Sequence, residues 1–368
     1  MAQYNWQKSD WPNFTYNTNT VESELYEIAR RVGRISGLLE GLPEDIKTET
    51  LIDIMVSEAI KTSEIEGEYI SRKDVMSSIR NNLGLLPSTD PVTDKRAEGA
   101  AQLMLNVRDT YAATLDKKTL FHWHTILMQG SKRITIGAWR DHEEPMQVVS
   151  GPLGKETIHY EAPPSKIVPA EMDQFIKWFN DTMPEGNQPI KKPAIRSAIA
   201  HLYFETIHPF EDGNGRIGRA ISEKALSQGL GRPVLLSLSK TIEARRDQYY
   251  DALKAAQRSN DITAWIAYFV NTVLQAQIDA EELIAFTLKK VKFFDKHKNT
   301  LNERQLRVIK RMFENGPDGF IGGMSAQKYV KITKTSKATA TRDLQGLAEQ
   351  GVLIPIGAGR STRYDLNI

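Results

Sequence analysis

The sequence predicts a mainly α protein: a helical bundle with an inserted β-hairpin, followed by a C-terminal helix-turn-helix that has its own hairpin. Apolar residues recur at helical spacing through most of the chain, first over residues 22–39. Two β-prone runs flank a Gly/Pro turn within residues 146–164, which is typical of a hairpin. After an interruption near residues 297–301, three helix-like segments precede two short strands around a Gly-rich turn.

The composition indicates a globular protein of two or three domains. The 368 residues are 40% hydrophobic and 26% charged, which permits large cores and argues against general disorder. The absence of cysteine excludes disulfides, iron–sulfur clusters and thiolate zinc sites. No stretch resembles a signal peptide or reaches the ~18 apolar residues of a membrane span. We therefore expect a soluble, cytoplasmic protein with no membrane partner.

The predicted elements divide the chain into an N-terminal helical module (residues 1–94), a core (95–298) and a C-terminal domain (299–368). Alternating aromatic residues among the first twenty predict a short strand or an arm packed on a neighbour; they are Trp6, Trp11, Phe14 and Tyr16. Helices are predicted over about residues 22–39, 47–60, 170–180, 193–206, 217–228, 241–257 and 262–298, with two or three more between 71 and 129.

Residues 208–219, HPFEDGNGRIGR, join two apolar helical segments and have a composition that suits neither a helix nor a core. Gly213 and Gly215 permit positive φ and close approach of a ligand to the backbone. The free N–H groups of the following helix favour phosphate, and Arg216 and Arg219 can donate charge-assisted hydrogen bonds to its oxygens. A polar loop that only caps a helix would explain the glycines but not the charged residues.

Two further residues in this stretch point to catalysis. Asp212 supplies the hard oxygen ligand that Mg²⁺ takes together with substrate phosphates. His208 is the one side chain of the stretch that can accept a proton near neutral pH. The residues alone therefore predict a Mg²⁺–nucleotide site with a base beside it.

The stretch matches every specified position of the Fic family signature, HPFx(D/E)GNGRxxR, and the chain resembles that family over about residues 95–290. The resemblance implies a compact helical bundle with a β-hairpin flap. It also implies protein adenylyltransferase (AMPylation) activity, in which AMP passes from ATP to a Tyr, Thr or Ser hydroxyl of a target protein or of the enzyme itself, with Mg²⁺ and release of pyrophosphate.

Carried over by position, the resemblance assigns roles within the signature. His208 would deprotonate the target hydroxyl, Asp212 would hold Mg²⁺, and Arg219 would orient the γ-phosphate. Phe210 would be buried and hold the loop down. The anion hole would be lined by Gly213, Asn214, Gly215 and Arg216.

The resemblance also suggests contacts outside the signature. Tyr249 and Tyr250 match a tyrosine pair near the adenine, although plain packing on an amphipathic helix explains such a pair equally well. Gln257 stands where the family often has asparagine. The flap, MQVVSGPLGKETIHYEAPP, would bring Ser150, Gly151 and Tyr160 nearest the nucleotide.

A second informative stretch is TSEIEGEY, residues 62–69, where three glutamates cluster at the end of a predicted helix. Negative charge there opposes the helix dipole by about 0.3–1 kcal/mol per group, so either a cationic partner or full solvation is expected. Residues 62–67 resemble the inhibitory motif (S/T)xxxE(G/N) of autoinhibited Fic proteins. The resemblance implies that Glu66 pairs with Arg219, and predicts a weakly active wild type and a more active Glu66→Gly.

The other histidines are expected to have structural roles. His122 and His124 are two residues apart, so on a helix they point in different directions and cannot chelate one ion. His201 is expected to pack within the helix that precedes the signature, and His159 lies on the predicted flap.

The C-terminal domain is basic, because residues 301–368 contain 11 Lys/Arg and 6 Asp/Glu whereas the whole chain has a net charge of +2. The last seventy or so residues, 299–368, resemble bacterial winged-helix regulators, which implies a winged helix-turn-helix with DNA or a protein as its partner. The recognition helix and wing would present Lys334, Lys337, Arg342, Arg360 and Arg363.

Three functions remain open from sequence. The first is an autoinhibited adenylyltransferase, the second a DNA-binding transcriptional regulator whose Fic core senses nucleotide, and the third an enzyme that removes AMP from a modified target. The sequence also leaves open whether the protein forms a homodimer.

Overall fold

The computed structural model describes residues 3–85, 90–132, 134–150, 157–297, 299–314, 316–357 and 359–368. These residues form mainly helices and two antiparallel hairpins. The helices are α1 (Glu22–Glu40), α2 (Glu44–Ile65), α3 (Arg72–Asn82), α4 (Lys95–Asp109), α5 (Lys117–Leu127), α6 (Val168–Asp181), α7 (Pro193–Ile207), α8 (Asn214–Leu230), α9 (Leu238–Glu243), α10 (Arg246–Ala256), α11 (Thr263–His297), α12 (Glu303–Phe313), α13 (Ala326–Thr333) and α14 (Lys337–Glu349).

The two hairpins lie where the sequence predicts them. Strand β1 (Gln147–Ser150) pairs with β2 (Thr157–Glu161), with an irregularity between Val148 and Val149. Strand β3 (Leu353–Ile356) pairs with β4 (Arg363–Leu366). The chain divides into two compact units, one of Met1–Val32 and Leu51–Ala280, the other of Gly33–Thr50 and Glu281–Ile368. The boundaries at residues 94/95 and 298/299 stay predictions.

The N-terminal residues form an arm rather than a strand. Tryptophans 6 and 11 donate indole hydrogen bonds of 2.9 Å to the Glu161 carbonyl and the Glu171 carboxylate. Extended pairing is limited to an isolated parallel bridge at Thr15. The aromatic pattern of this segment therefore serves packing against the larger unit, one of the two options that the sequence left open.

One predicted helix is wrong. The segment predicted as a single helix over residues 241–257 forms two helices, because Arg245 leaves the helical region with φ −137° and ψ 46°. The first of them, α9, begins earlier than expected, since the Ser237 hydroxyl accepts from the Lys240 N–H and caps it. The predicted stop of α2 near Gly67 is confirmed by a left-handed φ of 79° at that glycine.

Helices α7 and α8 form the centre of the larger unit and place the signature loop. Every residue of α7 after Pro193 is buried, and its Phe204 shares one core cluster with the fully buried rings of Trp123 and Phe210. Helix α7 ends at His208 and α8 begins after Gly213. The residues between them are thus a short turn fixed at both ends by buried helices.

The second unit contains the predicted order of three helices and a hairpin. Apolar residues of α12, α13 and α14 pack around a common core with Phe293 of α11. Ser336 caps α14, as the sequence predicts, by accepting from the Thr339 N–H. The identity of residues 299–368 as a winged helix-turn-helix stays a prediction. No helix within the described ranges has the length and apolar character needed to cross a membrane.

Candidate active site

His208 sits in an unusual backbone conformation that the buried Arg140 holds. Its φ of 50° and ψ of 61° lie in the left-handed region, which costs a residue other than glycine about 1–3 kcal/mol. The Arg140 guanidinium donates to the carbonyls of His208 at 2.7 Å, Ile207 at 3.2 Å and Pro163 at 2.6 Å. Its backbone N–H donates to the Pro209 carbonyl at 2.9 Å. No sequence pattern indicated the role of this arginine, because its contacts depend on residues distant in the chain.

The environment of His208 suits a proton acceptor. Burial, followed by the charge of Arg140, lowers the pKa of His208 to about 4. The imidazole is therefore neutral at pH 7, and its side chain is 14% exposed. A neutral and partly accessible imidazole can take a proton from a hydroxyl that reaches it.

Glu205, one helical turn before His208, is a second group that the sequence analysis missed. Its Oε2 lies 3.8 Å from His208 Nδ1. Burial and the charge of Glu66 raise the pKa of Glu205 to about 8, so the carboxyl is mostly protonated at neutral pH. A Cβ at Gly218 would lie 2.2 Å from Glu205 Oε1, so only glycine fits opposite this side chain. The sequence signal that could have found Glu205 was its position three residues before His208, which places the two side chains one helical turn apart.

The signature loop is tied to the core by Phe210 and Asn214. The Phe210 side chain is fully buried, as expected. The Asn214 amide donates to the Phe210 carbonyl at 2.8 Å and its Oδ1 accepts from the Phe210 N–H at 2.9 Å. The Asn214 side chain is thus engaged in fixing the loop, and a contribution to an anion hole would come from its backbone.

His124 also holds this loop. Its ring stacks on Phe210 with centroids 4.1 Å apart and an interplanar angle of 9°. Its Nδ1 accepts from the Gly137 N–H at 2.9 Å, so Nε2 carries the proton and donates to the Asp212 carbonyl at 3.2 Å. The buried His201 contacts the Tyr249 hydroxyl at 2.8 Å. Both histidines have the structural roles expected of them, and within the described ranges no cluster of three His, Asp or Glu side chains could hold a metal ion.

The two signature arginines are buried and each faces a glutamate. Arg219 Nη2 lies 2.7 Å from Glu66 Oε1, and Arg216 Nη1 lies 2.6 Å from Glu68 Oε2. The arginine side chains are 1% and 3% exposed, and Nη1 of Arg219 and Nε of Arg216 have no hydrogen-bond acceptor among the residues that the structure describes. Burial works to raise the pKa of Glu66, but the charges of Arg219 and Arg216 bring it below its ordinary value.

The carboxylate of Glu66 also lies against the first turn of α8. A Cβ at Gly215 would be 2.1 Å from Glu66 Oε1, so the absence of a side chain at this position admits the carboxylate to the helix N-terminus. Gly213 precedes it with a left-handed φ of 81°. A helix N-terminus with neighbouring arginines is suited to anions, and here it receives a carboxylate from the same chain.

The donor set fits Mg²⁺ and a polyphosphate. The Asp212 side chain is 56% exposed and accepts from the Gly213 N–H at 2.5 Å. One carboxylate beside an anion cradle matches the preference of Mg²⁺ for one or two carboxylates plus phosphate oxygens. Arg219 Nη1 and Arg216 Nε, which lack an acceptor within the described part of the chain, are donors of the kind that phosphate oxygens accept from.

The predicted adenine contacts are engaged within the protein. Tyr249 is buried, and the Tyr250 hydroxyl donates to the Ile65 carbonyl at 3.3 Å. The Gln257 amide donates to the Glu205 carbonyl at 3.3 Å. Tyr250 thus contacts the residue before Glu66, and adenine binding by these three side chains stays a prediction.

The predicted flap contacts are described in part. Tyr160 is buried, and its hydroxyl donates to the Thr206 carbonyl at 2.5 Å. Ser150 ends β1, but its side chain and the whole of Gly151 lie outside the described residues. Tyr160 therefore lies on β2 of the flap itself, and its hydroxyl is already paired with the Thr206 carbonyl.

The predicted DNA-contacting residues lie in the second unit. Lys334, Lys337 and Arg342 are exposed, and Lys334 adopts a left-handed φ of 58° at the end of α13. Arg363 is half-buried and donates to the Thr362 carbonyl at 3.0 Å. The side chain of Arg360 lies outside the described residues.

Comparison with known proteins identifies the region that contains this site. Residues 114–226 match the Fic/DOC family. Residues 4–85 match a second model, a domain of unknown function (DUF4172). The chain therefore contains a Fic/DOC family domain, which includes His208 and both signature arginines.

Two curated relatives are named protein adenylyltransferases. A "Protein adenylyltransferase Fic" of Nematostella vectensis is 24% identical over 243 residues, which are 64% of this chain and 54% of that protein. One of Drosophila mojavensis is 30% identical over 100 residues, which are 27% of this chain and 18% of that protein. The chain thus spans about half of the first relative and a smaller part of the second.

Solved structures show the same fold. A Fic family protein from Desulfovibrio desulfuricans G20 aligns with a TM-score of 0.53 and 21% identity, covering 96% of this chain and 98% of that one. A Fic domain containing signaling protein from Bacteroides thetaiotaomicron VPI-5482 gives a TM-score of 0.54 and 16% identity, covering 72% and 97%. At these identities the similarity concerns the fold alone.

Proposed function

We propose that the chain is a Fic-type protein adenylyltransferase that transfers AMP from ATP to a hydroxyl side chain of a protein. The observation that carries the proposal is the pairing of a neutral, partly accessible His208 with a glycine-lined anion cradle at the ends of one short loop. The names of the curated relatives support the same reaction.

In the proposed reaction, the target hydroxyl oxygen forms a bond to the α-phosphorus of ATP. The bond between that phosphorus and the oxygen bridging to the β-phosphate breaks, and pyrophosphate leaves. His208 takes the hydroxyl proton, a contribution of about 10²–10⁴-fold in rate. Arg216 and Arg219 would bind the phosphate oxygens. Mg²⁺ held by Asp212 would neutralise phosphate charge.

Glu66 would keep this site inactive. Its carboxylate engages Arg219 and lies against Gly215, the position that the cradle offers to a phosphate oxygen. An anion in that place excludes or misplaces the triphosphate, so the α-phosphorus would not be aligned for attack. We infer that Glu66→Gly raises activity.

The test is incubation of the full chain with α-labelled ATP and Mg²⁺ as wild type, Glu66→Gly and Glu66→Gly/His208→Ala. We expect strong protein labelling in the single variant and its loss in the double variant. Glu64→Ala is a matched control, because Glu64 lies on the same segment but pairs with Lys61 at 2.5 Å. Label in none of the proteins, with ATP binding demonstrated, would reject AMP transfer.

A second candidate function is DNA binding by the C-terminal domain. The exposed Lys334, Lys337 and Arg342 form no ion pair with a carboxylate in the part of the chain that the structure describes. Free cations at the start of an exposed helix suit phosphates. Duplex DNA binding by the full chain should weaken with salt and with Lys337→Glu/Arg342→Glu, whereas Lys310→Glu on α12 should change it little. Equal binding by all three proteins would reject this candidate.

A further inference from the structure

We propose that Glu68 is a second inhibitory carboxylate, which occupies Arg216 as Glu66 occupies Arg219. The inference rests on the proposed function, since it concerns how the same phosphate site is closed. Glu68 Oε2 lies 2.6 Å from Arg216 Nη1, the shorter of the two ion pairs between this segment and the signature. The acidic cluster of residues 62–69 therefore engages both cations of the anion site rather than one.

The setting of Arg216 distinguishes this pair from an ordinary surface ion pair. The Arg216 side chain is 3% exposed, its Nη2 contacts Met128 Sδ at 3.5 Å, and no described residue offers its Nε an acceptor. The carboxylate of Asp212 is farther away, at 3.6 Å from Nη2. A buried guanidinium needs an anion close by, and in this arrangement Glu68 supplies it. Phosphate binding at Arg216 would require Glu68 to leave.

The backbone after α2 explains why two glutamates reach two arginines. The N–H groups of Glu66 and Glu68 both donate to the Ser63 carbonyl, at 3.1 and 3.0 Å, and close the end of the helix. Gly67 between them has a left-handed φ of 79°. This turn presents both carboxylates on one side, towards arginines three residues apart on α8.

The two pairs together remove the charge that would attract a triphosphate. Two buried cations facing two carboxylates form a nearly neutral site, whereas the same cations alone strongly favour a polyanion. Removing Glu66 frees Arg219 but leaves Arg216 occupied. The inference therefore expects stepwise release: each single substitution opens part of the site, and the double substitution opens all of it.

The test measures affinity for ATP with Mg²⁺ by calorimetry in the full chain, with His208→Ala present throughout to prevent turnover. The variants are Glu66→Gly, Glu68→Ala and their combination, with Glu64→Ala as the matched control and thermal denaturation to verify folding. We expect Glu68→Ala to tighten ATP binding within the range of about 5–150-fold that is typical of coupled sites. The double variant should bind more tightly than either single one, and Glu64→Ala should match its parent.

The outcomes separate this inference from the proposed function. Equal ATP affinity with and without Glu68→Ala, both when Glu66 is present and when Glu66→Gly has removed it, would overturn the inference, and so would a double variant that binds no ATP. AMP transfer is scored separately, in proteins that retain His208. Stepwise ATP affinities without any transfer would support the two-carboxylate closure and reject the adenylyltransferase proposal.

Discussion

The signature loop and the segment that faces it are held in place by different kinds of contact. The loop of residues 208–213 is fixed by buried groups, with Arg140 on its backbone, Phe210 in the core and Asn214 of α8 bonded to it. The facing segment reaches it through Glu66 and Glu68, whose side chains are 29% and 30% exposed. A phosphate can replace a carboxylate on an arginine, but no ligand can replace Phe210. This difference supports the proposal that the site is preformed and that the carboxylates of Glu66 and Glu68 close it exchangeably.

The largest expected effect comes from removing the buried anchor of the loop. Phe210→Ala should lower the free energy of unfolding by about 3–5 kcal/mol, because it leaves a cavity among fully buried aromatic rings. Chemical denaturation measures this, with Tyr26→Ala as the control, since Tyr26 is 70% exposed and should change stability little. A loss in the free energy of unfolding below about 1 kcal/mol would contradict the conclusion that the buried Phe210 fixes the loop.

The next effect is a pH dependence of stability due to Glu205. Its folded pKa of about 8 exceeds the ordinary 4.5, so its contribution to stability is fully present below 4.5 and is lost as pH rises to about 8. Between these values the native protein holds a proton that the unfolded chain has lost. The free energy of unfolding therefore falls by up to about 1.4 kcal/mol for each unit by which the pH rises. Glu205→Gln should remove this slope in denaturation between pH 5 and 8. Parallel curves for the two proteins would show that Glu205 ionises normally.

Part of the fold and of the site could be predicted from the sequence, and part could not. Helix order, both hairpins and the turn at residues 208–213 follow from periodicity and from a signature whose residues are contiguous in the chain. Arg140 and His124 contact that turn from distant segments, so no local sequence pattern predicts their hydrogen bonds to it. The break at Arg245 was missed because both halves of the segment have helical periodicity. The pairing of Glu68 with Arg216 depends on tertiary structure alone.

His208, the proposed catalytic base, should show no ordinary histidine titration. A histidine with a pKa near 6.5 would lose about tenfold in free base as the pH falls from 7 to 5.5. Because burial lowers the pKa of His208 to about 4, and Glu66 is a charge that raises it, AMP transfer by Glu66→Gly should change less than about twofold over that interval. Initial rates at saturating Mg²⁺ and ATP measure this. A tenfold decline would mean that the imidazole is not preset by burial.

An effect on stability smaller than that of Phe210→Ala is expected in the segment of residues 62–69, which carries Glu66 and Glu68. A Cβ at Gly67 would meet no atom within 4 Å, so Gly67→Ala acts only through its φ of 79°, at a cost of about 1–2 kcal/mol. Weakening the turn should release both carboxylates in part and raise AMP transfer severalfold, with Gly33→Ala, in an equally open position on α1, as the control. Unchanged transfer would indicate that the turn does not set the position of the glutamates.

In the proposed mechanism, the catalytic loop already has its active arrangement while Glu66 still occupies Arg219. The most direct measurement is the ratio of initial AMP-transfer rates of Glu66→Gly and wild type, each with and without His208→Ala. A ratio well above one that falls to one in the absence of His208 is the predicted result. A ratio of one with His208 present, at one subsaturating ATP concentration for both proteins, would contradict the claim that Glu66 closes a preformed active site.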